Sequence, residues 1–372
     1  MNKEFNKVVI FGTFDIVHPG HISVFKYAKS LAKELCVVIA RDQNIYKETQ
    51  LIFNEQQRLE NISQYEIVNK TILGDLNNPL AFYNQLKPDL IVLGYDQYQN
   101  VDLLKQLKNI KIKKAPPYHE GLFKARKIKN ILVDQDAGFY LINKKKGYAS
   151  FRNINILRKV LNLKKVGFAG TLDPMASGLL IMASGKATKF LDAFHSLDKV
   201  YEAQIELGKV SDTFDAEGII KEIKHKKEIS EKQIQKLLNK KFTGTILQTP
   251  PIFSAKKING QKAYNLARKN KKVKLKAVKI TINKIEILKY NYPFLDLKIN
   301  CSKGTYIRSI AHDLGKKLKT GGLLSKLTRT DIGPFKLEDS LLQETLNLEK
   351  LDKKGLDILQ VIKKINQYFL KK

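Results

Sequence analysis

The chain of 372 residues is longer than one hydrophobic core ordinarily supports, so two domains are expected. Its formal net charge of +31 points to a polyanionic partner, nucleic acid first, because clustered Lys and Arg gain affinity by releasing counterions from phosphates; an even enrichment in Lys, Asn and Ile is the alternative source of that charge. The two cysteines, Cys36 and Cys301, lack metal-ligand spacing and are expected as core-facing thiols, and no stretch reads as a signal peptide or membrane span, so a reducing cytoplasm is expected.

Between residues 8 and 94, short β-branched runs at 8–11, 35–40 and 90–93 alternate with a helical pattern at 21–33. That βαβ rhythm predicts a parallel sheet. A further cycle spans 101–114, and a basic helical stretch at 122–131 should close a first domain of residues 1–133. After Asp134, Gln135, Asp136, Ala137 and Gly138 the texture changes to short strands and turns, among them 200–207, 280–288 and 294–299. These predict an α+β domain over 134–340 with a mixed or antiparallel sheet. The basic stretches 224–228 and 269–276 read as solvated turns or edges, or else as direct RNA contacts. Apolar periodicity from 341 to 370 predicts a short helical tail over 341–372 that caps the second domain.

Two segments carry chemistry. The first, Gly12, Thr13, Phe14, Asp15, Ile16, Val17, His18, Pro19, Gly20 and His21, joins the first strand to the first helix. In an open parallel sheet this is where ligands bind, and free N–H groups with the helix dipole attract phosphate there. Gly12 and Gly20 permit close backbone approach, and His18 and His21, three residues apart, can face one oxyanion. This string resembles the nucleotidyltransferase superfamily of cytidylyltransferases and FAD or pantetheine adenylyltransferases. Supporting matches are Ala40–Arg41–Asp42, Glu55–Gln56–Gln57–Arg58 and Leu93–Gly94–Tyr95–Asp96, with archaeal-type FAD synthetases and glycerol-3-phosphate cytidylyltransferases the nearest in texture. The resemblance implies an α/β Rossmann-like domain in which Gly12, Thr13 and Phe14 form the nucleotide turn, His18 and His21 bind the triphosphate, and Gly94 to Asp96 flank the base. It implies ATP or CTP with Mg2+ as substrate, a phosphorylated small molecule as acceptor and pyrophosphate as product. The Ser/Thr-rich turn usual near the family's end is replaced here by residues 121–128, where Lys124, Arg126 or Lys127 could stand in for the hydroxyls. A domain that keeps this fold without the chemistry is the alternative.

The second segment is Val166, Gly167, Phe168, Ala169, Gly170, Thr171, Leu172, Asp173, Pro174, Met175, Ala176, Ser177 and Gly178. A carboxylate between a glycine turn and a proline sits on a rigid loop, as suits a nucleophile or base, although Asp before Pro is also an ordinary turn residue. Ordered matches follow at 185–189, 198–201, 211–218, 248–255, then Lys257, Gly260, Tyr264, Ala267 and Arg268, and finally 301–309. Together they resemble the TruB-type tRNA pseudouridine synthases over about 138–334. The resemblance implies a pseudouridine synthase that isomerises the T-loop uridine of tRNA at position 55 and needs no cofactor. Asp173 is then the nucleophile, Arg308 its ionising partner, and Tyr201 the residue that stacks on the base and assists proton removal from C5. Lys144, Gly147, Phe168 and Lys303 would contact RNA. The family's Lys-Pro-x-Gly lacks its proline at 144–147, Phe168 stands where many members carry His, and the tail is too short for a full RNA-binding PUA domain. The readings are a bifunctional enzyme, a synthase with an inactive first domain, and, from another class, a non-catalytic tRNA-binding or tRNA-folding protein.

Overall fold

The computed structural model describes residues 3–372 apart from 46–49, 78, 98–109, 120, 225–228, 254–256, 259–260 and 263–274. The motif matches at Ser254, Ala255, Gly260, Tyr264, Ala267 and Arg268, and most of the 101–114 cycle, lie outside the described residues. The chain forms two compact units, Met1–Ala137 with Leu356–Lys372, and Gly138–Gly355.

The first unit is built on β1 (Phe5–Gly12), α1 (Pro19–Leu31), β2 (Ala32–Ile39), α2 (Glu55–Ser63), β3 (Lys70–Leu73), α3 (Pro79–Leu86), β4 (Leu90–Leu93), β5 (Lys111–Lys114) and α4 (Ala125–Leu132). All strand pairs are parallel in the order β3-β2-β1-β4-β5. The order reverses between β1 and β4, so the crevice at their carboxyl ends is the position where such sheets take ligands. Val8, Ile10, Val37 and Ile39 bury one face against Ile22, Phe25 and Ala28 of α1. The tail is expected with the second domain, whereas the helix Ile358–Lys371 belongs to this unit, with Phe369 and Leu370 against the same core. Its buried stripe of Val361, Ile362 and Ile365 shows that it has a partner, but a stripe does not say which.

The second unit contains β6 (Gly138–Lys144), α5 (Ser150–Leu161), β7 (Val166–Ala169), β8 (Ser177–Ser184), α6 (Leu191–His195), β9 (Lys199–Leu207), β10 (Lys209–Ser211), β11 (Ile220–Glu222), α7 (Glu231–Lys241), β12 (Gly244–Gln248), β13 (Lys257–Ile258), β14 (Gln261–Lys262), β15 (Val278–Asn291), β16 (Phe294–Cys301), α8 (Ile307–Leu318), β17 (Gly322–Ile332), β18 (Phe335–Lys336), β19 (Leu341–Leu342) and α9 (Leu348–Lys354). Its large sheet runs β12-β15-β16-β9-β17-β8-β6-β19 and is mixed, with β17–β8 and β6–β19 parallel among otherwise antiparallel neighbours. Ile205, Leu295, Leu297, Ile299, Ile310 and Leu314 fill the core between the sheet and α8. Both cysteines are buried free thiols.

Candidate active sites

In the second unit, one row of the sheet sets the site. Lys144 pairs with Gly178, Gly178 with Arg329, and Arg329 with Tyr201, across β6, β8, β17 and β9. Partners in register present their side chains on one face. Gly178 supplies the gap: at φ +109 a Cβ would lie 2.3 Å from the Arg329 carbonyl oxygen. Arg329, only 1% exposed, donates from Nε to Leu179 O (2.8 Å) and from Nη2 to Gly170 O (2.9 Å) and hydrogen-bonds Tyr201. Burial pushes the Tyr201 phenol above its ordinary pKa, and the Arg329 charge opposes that rise.

Asp173 stands on the loop between β7 and β8, and that loop is pinned throughout. The Ser150 hydroxyl accepts from Leu172 N and donates to Leu172 O, both at 2.9 Å. The Gly147 N–H donates to Pro174 O at 2.8 Å, and the Lys144 ammonium reaches the same carbonyl. Arg308, in the first turn of α8, meets Asp173 Oδ2 at 2.9 Å through Nε and Asp215 Oδ2 at 3.3 Å through Nη1. The guanidinium also donates to Thr213 O and Phe253 O, so its buried N–H groups are spread over four acceptors. The start of α8 is itself held, since Gln248 bonds both backbone groups of Tyr306 and Ser309 Oγ donates to Thr249 O. Desolvation raises the Asp173 pKa, the Arg308 guanidinium pulls it back, and the Asp215 charge raises it again; the net direction is upward.

Asp173, Tyr201 and Arg308 share one cleft of about 1080 Å³, lined also by Glu217, His195, Lys199 and Lys303. Lys303 is exposed there. Lys199 is buried, with Nζ donating to the carbonyls of Phe194, His195 and Leu197 at the end of α6, and burial pushes its pKa down to about 8. Two expected RNA contacts need correction. Lys144 is 0% exposed and donates to Lys145 O, Tyr148 O and Pro174 O, because it is still the last residue of β6; only Lys145 and Lys146 are exposed. Phe168 packs with Ile142, Leu180 and Met182 in the core under α5 and does not line the cleft. Arg329 and Asp215 complete the site without having been singled out from sequence. Their signal was a charged residue at the inward parity of an apolar strand for Arg329, and an acid inside a motif turn for Asp215.

In the first unit, α1 begins at Pro19 with His18 at its N-cap, two residues before the predicted start at 21. The imidazoles of His18 and His21 stack with centroids 3.9 Å apart, and His21 Nδ1 accepts from the His18 N–H at 3.4 Å. Desolvation lowers both pKa values, that of His21 to about 4, so both rings are neutral at pH 7. His18 Nδ1 is buried with no partner. Gln97 ties the ends of β1 and β4 together, donating to Phe11 O and accepting from Gly94 N, while Asp96 is exposed and electrostatically coupled to His21. At φ +50 Phe14 has its ring buried beneath Gly12, edge-on to His21. Arg58 is fully buried, with Nη1 on Thr13 O and Nη2 on Ala40 O and Asp42 Oδ1. Lys129, rather than Lys124, Arg126 or Lys127, is the α4 cation that reaches the loop, at 2.5 Å from Asp15 Oδ2.

The second unit is thus an α+β domain whose cleft gathers the carboxylates of Asp173, Asp215 and Glu217, the guanidiniums of Arg308 and Arg329 and the Tyr201 phenol, and the first is an open parallel-sheet α/β domain. A family model for the TruB family pseudouridylate synthase N-terminal domain matches residues 158–307, and a cytidylyltransferase-like model matches 9–147. The chain is 42% identical over 214 residues to tRNA pseudouridine synthase B of Clostridium tetani, covering 58% of this chain and 74% of that protein, and 47% identical over 224 residues to that of Protochlamydia amoebophila, covering 57% and 82%. A solved Cbf5–Nop10–Gar1 complex aligns at 27% identity and TM-score 0.49 over 61% of this chain and 62% of that one. The chain belongs to the TruB family of tRNA pseudouridine synthases and carries a cytidylyltransferase-like amino-terminal domain. None of the helices among the described residues is long and apolar enough to cross a membrane.

Proposed function

We propose that the second unit converts the T-loop uridine at position 55 of tRNA to pseudouridine, with Asp173 as the attacking carboxylate. The observation that carries this reading is the cleft in which Asp173, Arg308 and Tyr201 meet. A stacked uridine is out of reach, so the base is flipped into the cleft, where Arg308 has the Asp173 carboxylate aimed before substrate arrives. The Asp173 carboxylate bonds to C1′ as the C1′–N1 bond breaks, the base turns, C5 bonds to C1′ and displaces the carboxylate, and the proton lost from C5 is balanced by one gained at N1. Tyr201 packs on the base and relays the C5 proton, its oxygen receiving that proton as its own passes on to solvent, with the hydroxyl held beside Arg329. No cofactor enters this balance. Exposed Lys303 and the Lys145–Lys146–Gly147 turn meet phosphates of the T-stem loop. Tritium release from C5-labelled uridine in a tRNA transcript tests the assignment: Asp173→Asn should abolish release, and unchanged release would return the chain to the tRNA-binding reading.

The first unit we read as a nucleotidyltransferase acting on ATP or CTP and a phosphorylated acceptor such as FMN or glycerol 3-phosphate. The buried neutral His18–His21 stack at the amino end of α1, in the crevice where strand order reverses, supports it. The two imidazoles would donate to the departing pyrophosphate while the α1 amides hold the remaining phosphate. Among the described residues no group of three or more His, Cys, Asp or Glu could hold a metal alone, so Mg2+ would be held chiefly by triphosphate oxygens, with Asp96 the adjacent carboxylate. The ion neutralises phosphate charge. Pyrophosphate release with a panel of triphosphates and acceptors, lost in His18→Ala, is the expected result; no release with any pair would leave the domain a scaffold.

A further inference from the structure

The loop that delivers His18 is anchored at three alternate residues, Thr13, Asp15 and Val17. Arg58 of α2 holds the carbonyl of Thr13 at 2.6 Å. The backbone N–H groups of Ile52 and Phe53, with Lys129 of α4, hold the Asp15 carboxylate. The third anchor comes from the far end of the chain: Asn366 of the helix Ile358–Lys371 donates its amide to Val17 O at 2.9 Å and to the Tyr65 hydroxyl at 3.1 Å. Asn366 is 1% exposed, and its Oδ1 is buried without a partner. The helix is seated in the same unit by Phe369 and Leu370 and by Lys26, whose ammonium donates to Phe369 O.

A buried amide between apolar helices is unfavourable unless its hydrogen bonds offset the lost hydration, and one acceptor here has none. An aliphatic side chain would fill the seam between Val361, Ile362 and Ile365 and its neighbours without that cost. What the amide adds is direction, because it fixes a carbonyl one residue ahead of His18. The His18 carbonyl in turn accepts the first bonds of α1, from His21 N at 2.8 Å and Ile22 N at 3.2 Å, so a shift at Val17 moves both imidazoles.

We propose that Asn366 is a positioning residue of the nucleotide site, making the C-terminal helix part of that site although all of residues 138–355 separate it in sequence from the rest of its unit. The proposal deepens the nucleotidyltransferase reading above and rests on it for the identity of the ligand. It carries a practical consequence: a fragment of residues 1–137 lacks one of the three loop anchors.

The test uses the full chain with Asn366→Leu, which fills the seam, and Asn366→Asp, which keeps the shape and removes the donor. Amide exchange is followed at residues 16–21 and at 35–39 of β2, together with pyrophosphate release and tRNA-dependent tritium release. The expected result for both variants is exchange about tenfold faster at 16–21 with no change at 35–39, as fits the loss of one net hydrogen bond. Nucleotide turnover should fall in kcat more than in KM, and tritium release should stay at the wild-type rate. Unchanged exchange at 16–21 in both variants, or equal acceleration at 35–39, would overturn the proposal, the second outcome marking the helix as a mere prop. Faster exchange confined to 16–21 in a protein whose wild type turns over no triphosphate would uphold the anchor and sink the nucleotidyltransferase reading.

Discussion

Asp173 and Asp215 share a single guanidinium: Arg308 Nε lies 2.9 Å from one carboxylate and Nη1 3.3 Å from the other. The arrangement aims Arg308 but divides its charge. Desolvation already raises the Asp173 pKa, and the Asp215 charge adds to the rise. The role proposed for Asp173 requires its ionised form, so on that proposal synthase activity should fall as pH drops through a value above that of an ordinary aspartate. Asp215→Asn removes the like charge, so the acid limb should move to lower pH. The plateau should fall about ten- to hundredfold as Arg308 loses the second charge that aims it. A limb that stays in place or moves upward would show that Asp215 does not act on Asp173.

Buried Lys144 and exposed Lys303 should respond oppositely to substitution. Lys303→Ala removes a cation at the cleft mouth, so tRNA affinity should weaken and the slope of log K against log salt should shrink by about 1. Lys144→Met takes away the donor to the Tyr148 carbonyl, while Pro174 O keeps the Gly147 N–H, which costs about 1 to 3 kcal/mol of stability. It should lower kcat while leaving the salt slope intact. A reduced slope in Lys144→Met would place this lysine on the RNA after all.

These two lysines also show where sequence reading stopped. The Gly-Thr-Leu-Asp-Pro turn and the HxGH loop were legible because glycine, proline and a functional side chain at fixed offsets constrain the backbone locally. The parallel and mixed sheets followed from strand texture. Lys144 was read with Lys145 and Lys146 as one basic turn, since composition does not record that β6 ends two residues later than the apolar run suggests. Arg329 sits at a buried position of β17, between Leu327 and Asp331, and only register across three strands reveals that it meets Tyr201 and Gly178. The partner of the last helix was equally hidden, because an amphipathic stripe gives a face and no address.

The stacked histidines make the first unit acid-sensitive. In the unfolded chain each imidazole takes up a proton near pH 6.5, whereas burial keeps His21 neutral in the fold until about pH 4 and lowers His18 as well. The unfolded state therefore binds more protons in this window, and stability present above pH 6.5 is lost as pH falls toward 4. The expected slope is about 1.4 kcal/mol per pH unit for each histidine, read from amide exchange in β2. His21→Asn should roughly halve it. An unchanged slope in that variant would mean the imidazole is already charged in the fold.

Gly178 admits the row of side chains that builds the synthase site, and that dependence can be tested apart from any catalytic group. Its Cβ would meet the Arg329 carbonyl at 2.3 Å and the Arg329 nitrogen at 2.7 Å, both backbone atoms that cannot swing away, and φ +109 is itself unfavourable for an L side chain. Gly178→Ala must therefore separate β8 from β17 where Arg329 bonds Leu179 O and Gly170 O. Stability should fall by about 1 to 3 kcal/mol, as for other strained backbone positions. Tritium release should drop further than tRNA affinity, because Tyr201 loses the orientation that Arg329 gives its hydroxyl while Lys303 keeps its place at the cleft mouth. Near-wild-type release in Gly178→Ala would show that the Arg329–Tyr201 contact does not govern proton removal, and Tyr201 would then act through stacking alone.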